Sequence, residues 1–212
     1  NYSLDGLVGF NLYQKTVGII GVGKIGKALA KIMNGFECRI LGYDIDPDVE
    51  TEKKYNITYT SLEHLCRSAD IISLHLPLSD ATKHLINEKT LKLMKYNVMI
   101  INTARGAIIN TKDLIKHLKS KHIGYAGLDV YENEKGIFFM NHYGKKVEDR
   151  YLLELLEMPN VLITPHQAFA TTESLERIAQ ITFHNLYCWA NQLTLLNELK
   201  VQDEKIPSIV TY

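Results

Sequence analysis

Six short apolar runs set the limits on what this chain can fold into. They are TVGII (16–20), CRILGY (38–43), DIISLHL (70–76), NVMIIN (97–102), GYAGLDV (124–130) and NVLIT (160–164). Several are apolar almost throughout, the pattern of strands covered on both faces. Segments with helical spacing lie between them. In the first, Ile25, Leu29, Ile32 and Met33 recur at i, i+4, i+7 and i+8 and share one face. Gly35 follows where a helix C-terminus favours a left-handed residue. Asn87 and Asn110 stand where helix N-caps are expected, and a longer helical stretch covers about 171–191. Strands alternating with helices imply βαβ units with right-handed crossovers, and so an α/β fold built on a doubly wound parallel sheet.

Charge narrows the range of partners. Lys plus Arg equals Asp plus Glu at 24 each, so no basic field exists to hold nucleic acid or an anionic membrane. No apolar run approaches the roughly 18 residues of a membrane span. Cys38, Cys66 and Cys188 are far apart and form no CxxC pair, as expected of reduced, mostly buried thiols in a cytoplasmic protein. With no HExxH or Cys/His cluster, no metal site is expected.

Gly21-Val22-Gly23-Lys24-Ile25-Gly26 reads GxGxxG. That pattern alone is weak, but here it follows a strand directly and opens a helix, which is the context that gives it meaning. Gly21 permits a tight turn, Gly23 lets the backbone approach a pyrophosphate, and Gly26 lets helix and strand pack closely. The pyrophosphate is expected at the helix N-terminus, against unpaired N–H groups and the positive end of the dipole. Asp44 ends the second run, 18 residues beyond Gly26. A carboxylate there accepts both adenine-ribose hydroxyls and repels a 2′-phosphate, which favours NAD over NADP. Asp46, before Pro47, reads as turn chemistry. The whole is a Rossmann-type NAD-binding domain over 16–191, preceded by a connector (1–15) and followed by a C-terminal segment (192–212).

Ligands of such sheets bind beyond the carboxyl ends of the strands. Thr103-Ala104-Arg105-Gly106 follows the fourth run, Asp129 closes the fifth with Glu134 five residues on, and Pro165-His166-Gln167 follows the sixth. A guanidinium can grip a substrate carboxylate in a fork and polarise the neighbouring carbonyl. An imidazole can give and take the alcohol proton, and a carboxylate can fix its tautomer. From position alone each has a plainer alternative: Arg105 a surface charge, Glu134 a solvated loop acid, His166 a capping histidine. His64, His84, His117, His122, His142 and His184 show no ligand spacing. His75 ends a strand, where Leu76-Pro77 is the expected contact.

The stretches VGIIGVGKIG, ISLHLP, NTARGAIIN, GLDVYENE and PNVLITPHQAF occur in this order and resemble the D-2-hydroxyacid dehydrogenase family across nearly all of 3–190. The insert KGIFFMNHYGKKVEDRYLLELL resembles the D-lactate dehydrogenase branch. The resemblance implies that Arg105 grips substrate, His166 is the acid/base and Glu134 its partner. It implies that Asp129 holds the nicotinamide carboxamide, while Pro77, Thr103 and Ala104 line the cofactor cleft and His166 reaches the cofactor as well. Phe169 is expected in the substrate-pocket wall. The implied reaction is hydride transfer between NADH and a small 2-keto acid, pyruvate and D-lactate first, in a homodimer joined through the cofactor domain. The family places a substrate lobe of roughly 100 residues before its cofactor domain. The chain therefore reads as a fragment, inactive alone, whose C-terminal segment returns to that lobe. An NAD(H)-sensing, corepressor-like binding protein of the same fold is the alternative.

Overall fold

Seven parallel strands form one sheet in the order β3-β2-β1-β4-β5-β6-β7. In chain order the elements are β1 (Thr16–Ile20), α1 (Lys24–Gly35), β2 (Arg39–Tyr43), α2 (Val49–Tyr55), β3 (Ile57–Tyr59), α3 (Leu62–Ser68) and β4 (Ile71–Leu74). There follow α4 (Glu88–Leu93), β5 (Val98–Asn102), α5 (Thr111–Lys119), β6 (Ile123–Leu128), α6 (Arg150–Leu156), β7 (Val161–Ile163) and α7 (Thr172–Ala190). The structure, a computed structural model, describes residues 8–144 and 147–198. The chain divides into two compact units, the first ending at Ala168 and the second beginning at Phe169. Most of the expected C-terminal segment lies outside the described residues.

Alternation along the strands splits the core in two. Val17, Ile19, Ile40 and Ile71 join Val22, Ala30 and Ile57 in one cluster. Their neighbours Ile20, Leu41 and Ile72 join Leu65, Leu91, Ile100, Leu114 and Leu155 in the other. Successive side chains of a strand point to opposite faces, so the sheet carries a buried layer on each side. Caps fix where the helices begin. The Asn87 side chain accepts from the Lys89 and Thr90 amides, and that of Asn110 from the Asp113 amide, as expected of both. The second unit holds α7, whose N-cap Thr171 accepts from the Ser174 amide and whose buried residue is Cys188. All three cysteines are free and buried.

Three details differ from expectation. β3 has only three residues and pairs Ile57 with Ile40 at the sheet edge, too short a run to show a period. Gly35 is the last helical residue of α1, and the left-handed residue is Glu37 at φ 57°. The Glu37 amide bonds to the Asn34 carbonyl and the Cys38 amide to that of Met33, so the helix ends in a Schellman motif two residues later than expected. Finally, α1 buries Gly26 and Ala30, and of its expected apolar face Leu29 and Met33 pack on the core while Ile25 and Ile32 are exposed. The cause is close approach. A Cβ on Gly26 would stand 2.1 Å from the Gly21 carbonyl oxygen, so the helix meets the sheet through its small residues.

Gly26→Ala is expected to force these backbones apart at a cost of about 1–3 kcal/mol. The check is a urea melt, in which the midpoint falls while the slope is unchanged.

Candidate active site

The direction in which successive strands are added across the sheet reverses between β1 and β4, which are themselves parallel neighbours. From β1 the sheet grows outward through β2 and β3, then returns to β4 on the other side and continues to β7. Loops on the two sides of such a switch point part and leave a crevice. The glycine loop lines one side of it and the segment after β4 the other. Gly21 sits at φ +92°, and a Cβ there would stand 2.7 Å from the His75 carbonyl carbon. A Cβ on Gly23 would meet nothing within 4 Å, which leaves open space at the mouth of α1. Gly23 is the N-cap and brings no side-chain acceptor. The first helical amides, from Lys24 and Ile25 on, therefore have no partner within the helix, and the Lys27 amide is the first to bond back, to Gly23. Asp44 Oδ2 accepts the Val22 amide at 2.6 Å and Oδ1 the Asp46 amide at 3.1 Å. The acid is thus held against the loop, with about two lone-pair sites left for a ligand, and the Val22 amide is taken by it.

The other expected residues follow neighbouring strands. After β5, buried Asn102 clamps the turn: its Oδ1 accepts the Ala104 amide and its Nδ2 donates to the Arg105 carbonyl, both at 3.0 Å. Thr103 and Arg105 are exposed. The Arg105 Nη1 donates to the Ala104 carbonyl at 2.7 Å, and the rest of its fork has no bond among the described residues. After β4, the Pro77 carbonyl accepts the Thr82 hydroxyl at 2.7 Å.

Asp129, 5% exposed, binds the segment after β7. Its carboxylate accepts the Thr164 hydroxyl and the amides of Gln167 and Ala168. Its carbonyl accepts the His166 amide at 2.7 Å. Burial pushes the Asp129 carboxyl up, but the Thr164, Ala168 and Gln167 donors outweigh it and hold it below its ordinary value. These bonds keep His166 in the left-handed region at φ 52°, a conformation that a non-glycine residue holds only when its surroundings dictate it.

His166 Nδ1 and Glu134 Oε1 lie 2.9 Å apart, and Glu134 Oε2 accepts the Tyr131 amide at 3.0 Å. An ionised carboxylate only accepts, so Nδ1 carries the proton of this bond. Nε2 is left with no hydrogen bond among the described residues. The pair is about three-quarters buried, at 27% and 25% side-chain exposure, which keeps it within reach of a ligand.

A histidine–carboxylate pair after the last strands of a sheet that opens on a glycine loop narrows the field, and sequence comparison resolves it. The family described as D-isomer specific 2-hydroxyacid dehydrogenase, NAD binding domain, matches residues 2–168. The chain belongs to this family. It is 45% identical over 199 residues to D-lactate dehydrogenase kk1H of Curvularia clavata, covering 94% of this chain and 57% of that protein. Among solved structures, the pyruvate reductase of Chlamydomonas reinhardtii superposes with a TM-score of 0.88 at 41% identity, covering 93% of this chain and 60% of that one. D-lactate dehydrogenase with NAD+ from Lactobacillus jensenii gives 0.84 at 36%, covering 93% and 59%. The chain thus spans a little under three-fifths of the relatives it matches.

Within the family's NAD-binding domain, the open space over Gly23, the free first-turn amides and the tethered Asp44 fit a dinucleotide pyrophosphate and its adenine ribose. The structure brings Glu134, His166 and Asp129 together. It sets Arg105 at the end of the adjacent strand without a bond to them, and Phe169 opens the second unit. Sequence reading missed four residues. Asn102 could have been found from its place before a turn, and Thr164 from its place at a strand end. Phe139, whose ring centroid lies 5.5 Å from that of His166, and His84, bonded to Glu132, carry no local signal.

Asp129→Asn is expected to cost about 1–3 kcal/mol at neutral pH through its lost charge-assisted bonds. Because the folded carboxyl is depressed, this stabilisation is present above the ordinary range and fades as pH falls through the lowered value. The gap between wild type and variant in chemical denaturation should begin to close below about pH 4.

Proposed function

We propose that the complete protein reduces a small 2-keto acid to the D-2-hydroxy acid at the expense of NADH, with pyruvate as the first substrate. The Glu134–His166 dyad carries this reading. The Arg105 fork grips the substrate carboxylate and polarises the adjoining carbonyl. NADH, when bound, supplies the hydride. His166 gives its Nε2 proton to the carbonyl oxygen, which becomes the alcohol, and Glu134 stabilises the imidazolium beforehand through Nδ1. In the reverse direction His166 takes that proton back. Thr103, Ala104 and Pro77 line the cofactor cleft, and Phe169 forms part of the substrate wall.

Two similar structures, those of a pyruvate reductase and a D-lactate dehydrogenase, support this substrate choice. The same reading divides the chain into a connector (1–15), the NAD-binding domain (16–191) and a return segment (192–212). It also makes the protein a cytoplasmic homodimer. No helix among the described residues is long and apolar enough to cross a membrane.

The test follows NADH absorbance with the full-length protein and a panel of 2-keto acids. Pyruvate should be reduced rapidly. His166→Ala should lower kcat by about 10²–10⁴-fold. Arg105→Lys keeps the charge but loses the planar fork, and should lower kcat/KM for pyruvate by about 10²-fold. Tight NADH binding with no turnover of any acid would overturn the proposal.

A further inference from the structure

Two His–carboxylate pairs stand two residues apart on the segment that leaves β6. In one, Glu134 has an oxygen on the Tyr131 amide and the other on His166. In the second, Glu132 Oε2 accepts the Thr111 amide at 3.0 Å and Oε1 lies 2.5 Å from His84 Nε2. The plan is the same, but the second histidine comes from the loop between β4 and α4.

His84 is held by its backbone as well as by its ring. Its amide donates to the Ala107 carbonyl at 2.8 Å, its own carbonyl accepts Asn87 Nδ2 at 2.8 Å, and its backbone is left-handed at φ 52°. Next to it, the Ile86 amide bonds to the Ile108 carbonyl and the Asn110 amide to the Ile86 carbonyl, a short bridge between Ile86 and Ile109. Gly106 rests so closely on the next segment that a Cβ there would stand 2.0 Å from the Tyr131 carbonyl carbon. Three segments therefore meet at Glu132: the one after β4, the one that follows Arg105, and the one that runs into Glu134. Burial pushes the Glu132 carboxyl up, but the Thr111 amide and His84 together hold it below its ordinary value, as befits an ionised hub. Its side chain is 21% exposed and that of His84 32%.

We propose that His84 is a positioning residue, which through Glu132 sets the placement of the Arg105 segment relative to Glu134 and His166. It touches neither substrate nor cofactor. The inference rests on the roles given above to Arg105, Glu134 and His166. Its physical content is that a fork and a proton donor on different loops share one substrate, and errors in their separation are costly: a displacement of about 1 Å can lower the rate about 10²-fold.

The experiment compares His84→Ala, His84→Gln and Glu132→Gln in the full-length protein. His84→Ala should lower kcat/KM for pyruvate about 10–10²-fold, leave NADH affinity measured by fluorescence titration unchanged, and leave the protein folded at the assay temperature. Glutamine keeps a donor that reaches Glu132, so His84→Gln should recover most of the loss. Glu132→Gln keeps an acceptor for Thr111 and should reproduce the defect of His84→Ala, which secures the test if the alanine variant does not fold. Combined with Arg105→Lys, His84→Ala should add little, because both act on one placement. A lowered melting temperature with unchanged kcat/KM, or full additivity with Arg105→Lys, would overturn the role of His84 alone. Failure of the wild-type protein to reduce any 2-keto acid would overturn the reading of the site and this inference together.

Discussion

Three carboxylates on the stretch that leaves β6 hold the loops at the strand ends together. Asp129 gathers the segment after β7 by accepting from Thr164, Gln167 and Ala168. Glu132 joins the segments after β4 and β5 through His84 and Thr111. Glu134 takes His166. Ile86, Ile108, Ile109 and Tyr131 anchor these segments in the apolar core, and the carboxylate bonds fix how the segments face one another. A charged acceptor bonded to amides in a partly dry site is worth more than a neutral one. Its oxygens also point in fixed directions, which apolar packing cannot provide.

The cofactor side depends on space instead of bonds. Gly21 and Gly26 let backbone meet backbone, with His75 on one side and the turn carbonyl on the other. Gly23, by contrast, faces open room. The same motif thus closes two contacts tightly and keeps a third free. That freedom stands at the N-terminus of α1, where unpaired amides and the helix dipole favour an anion. The tether from Asp44 to Val22 fixes this acid to the glycine loop.

Much of this was legible in the residues. The apolar runs located six of the seven strands, and Asn87 and Asn110 marked helix starts that the side-chain bonds bear out. The family stretches singled out the residues that now form the dyad. β3 escaped because three residues show no period. The expected face of α1 held for Leu29 and Met33, which pack on the core, but not for Ile25 and Ile32, because close packing selects the smaller Gly26 and Ala30. His84 was set aside among the other histidines because nothing near it in the chain is its partner. Glu132 lies 48 positions away.

The residues alone therefore determined the class of fold, the dinucleotide loop and the chemical types at the strand ends. Each of these depends on local signals: alternation, helical period, turn chemistry and motif spacing. Which donor meets which acceptor was decided by the tertiary structure. Glu132 and Glu134 are both acids of one short segment, and only the crossing of three loops assigns one to Thr111 and His84 and the other to His166. Pairing across loops depends on strand order and loop path, which put residues 32 and 48 positions apart within hydrogen-bond distance. No local pattern in a chain encodes that distance.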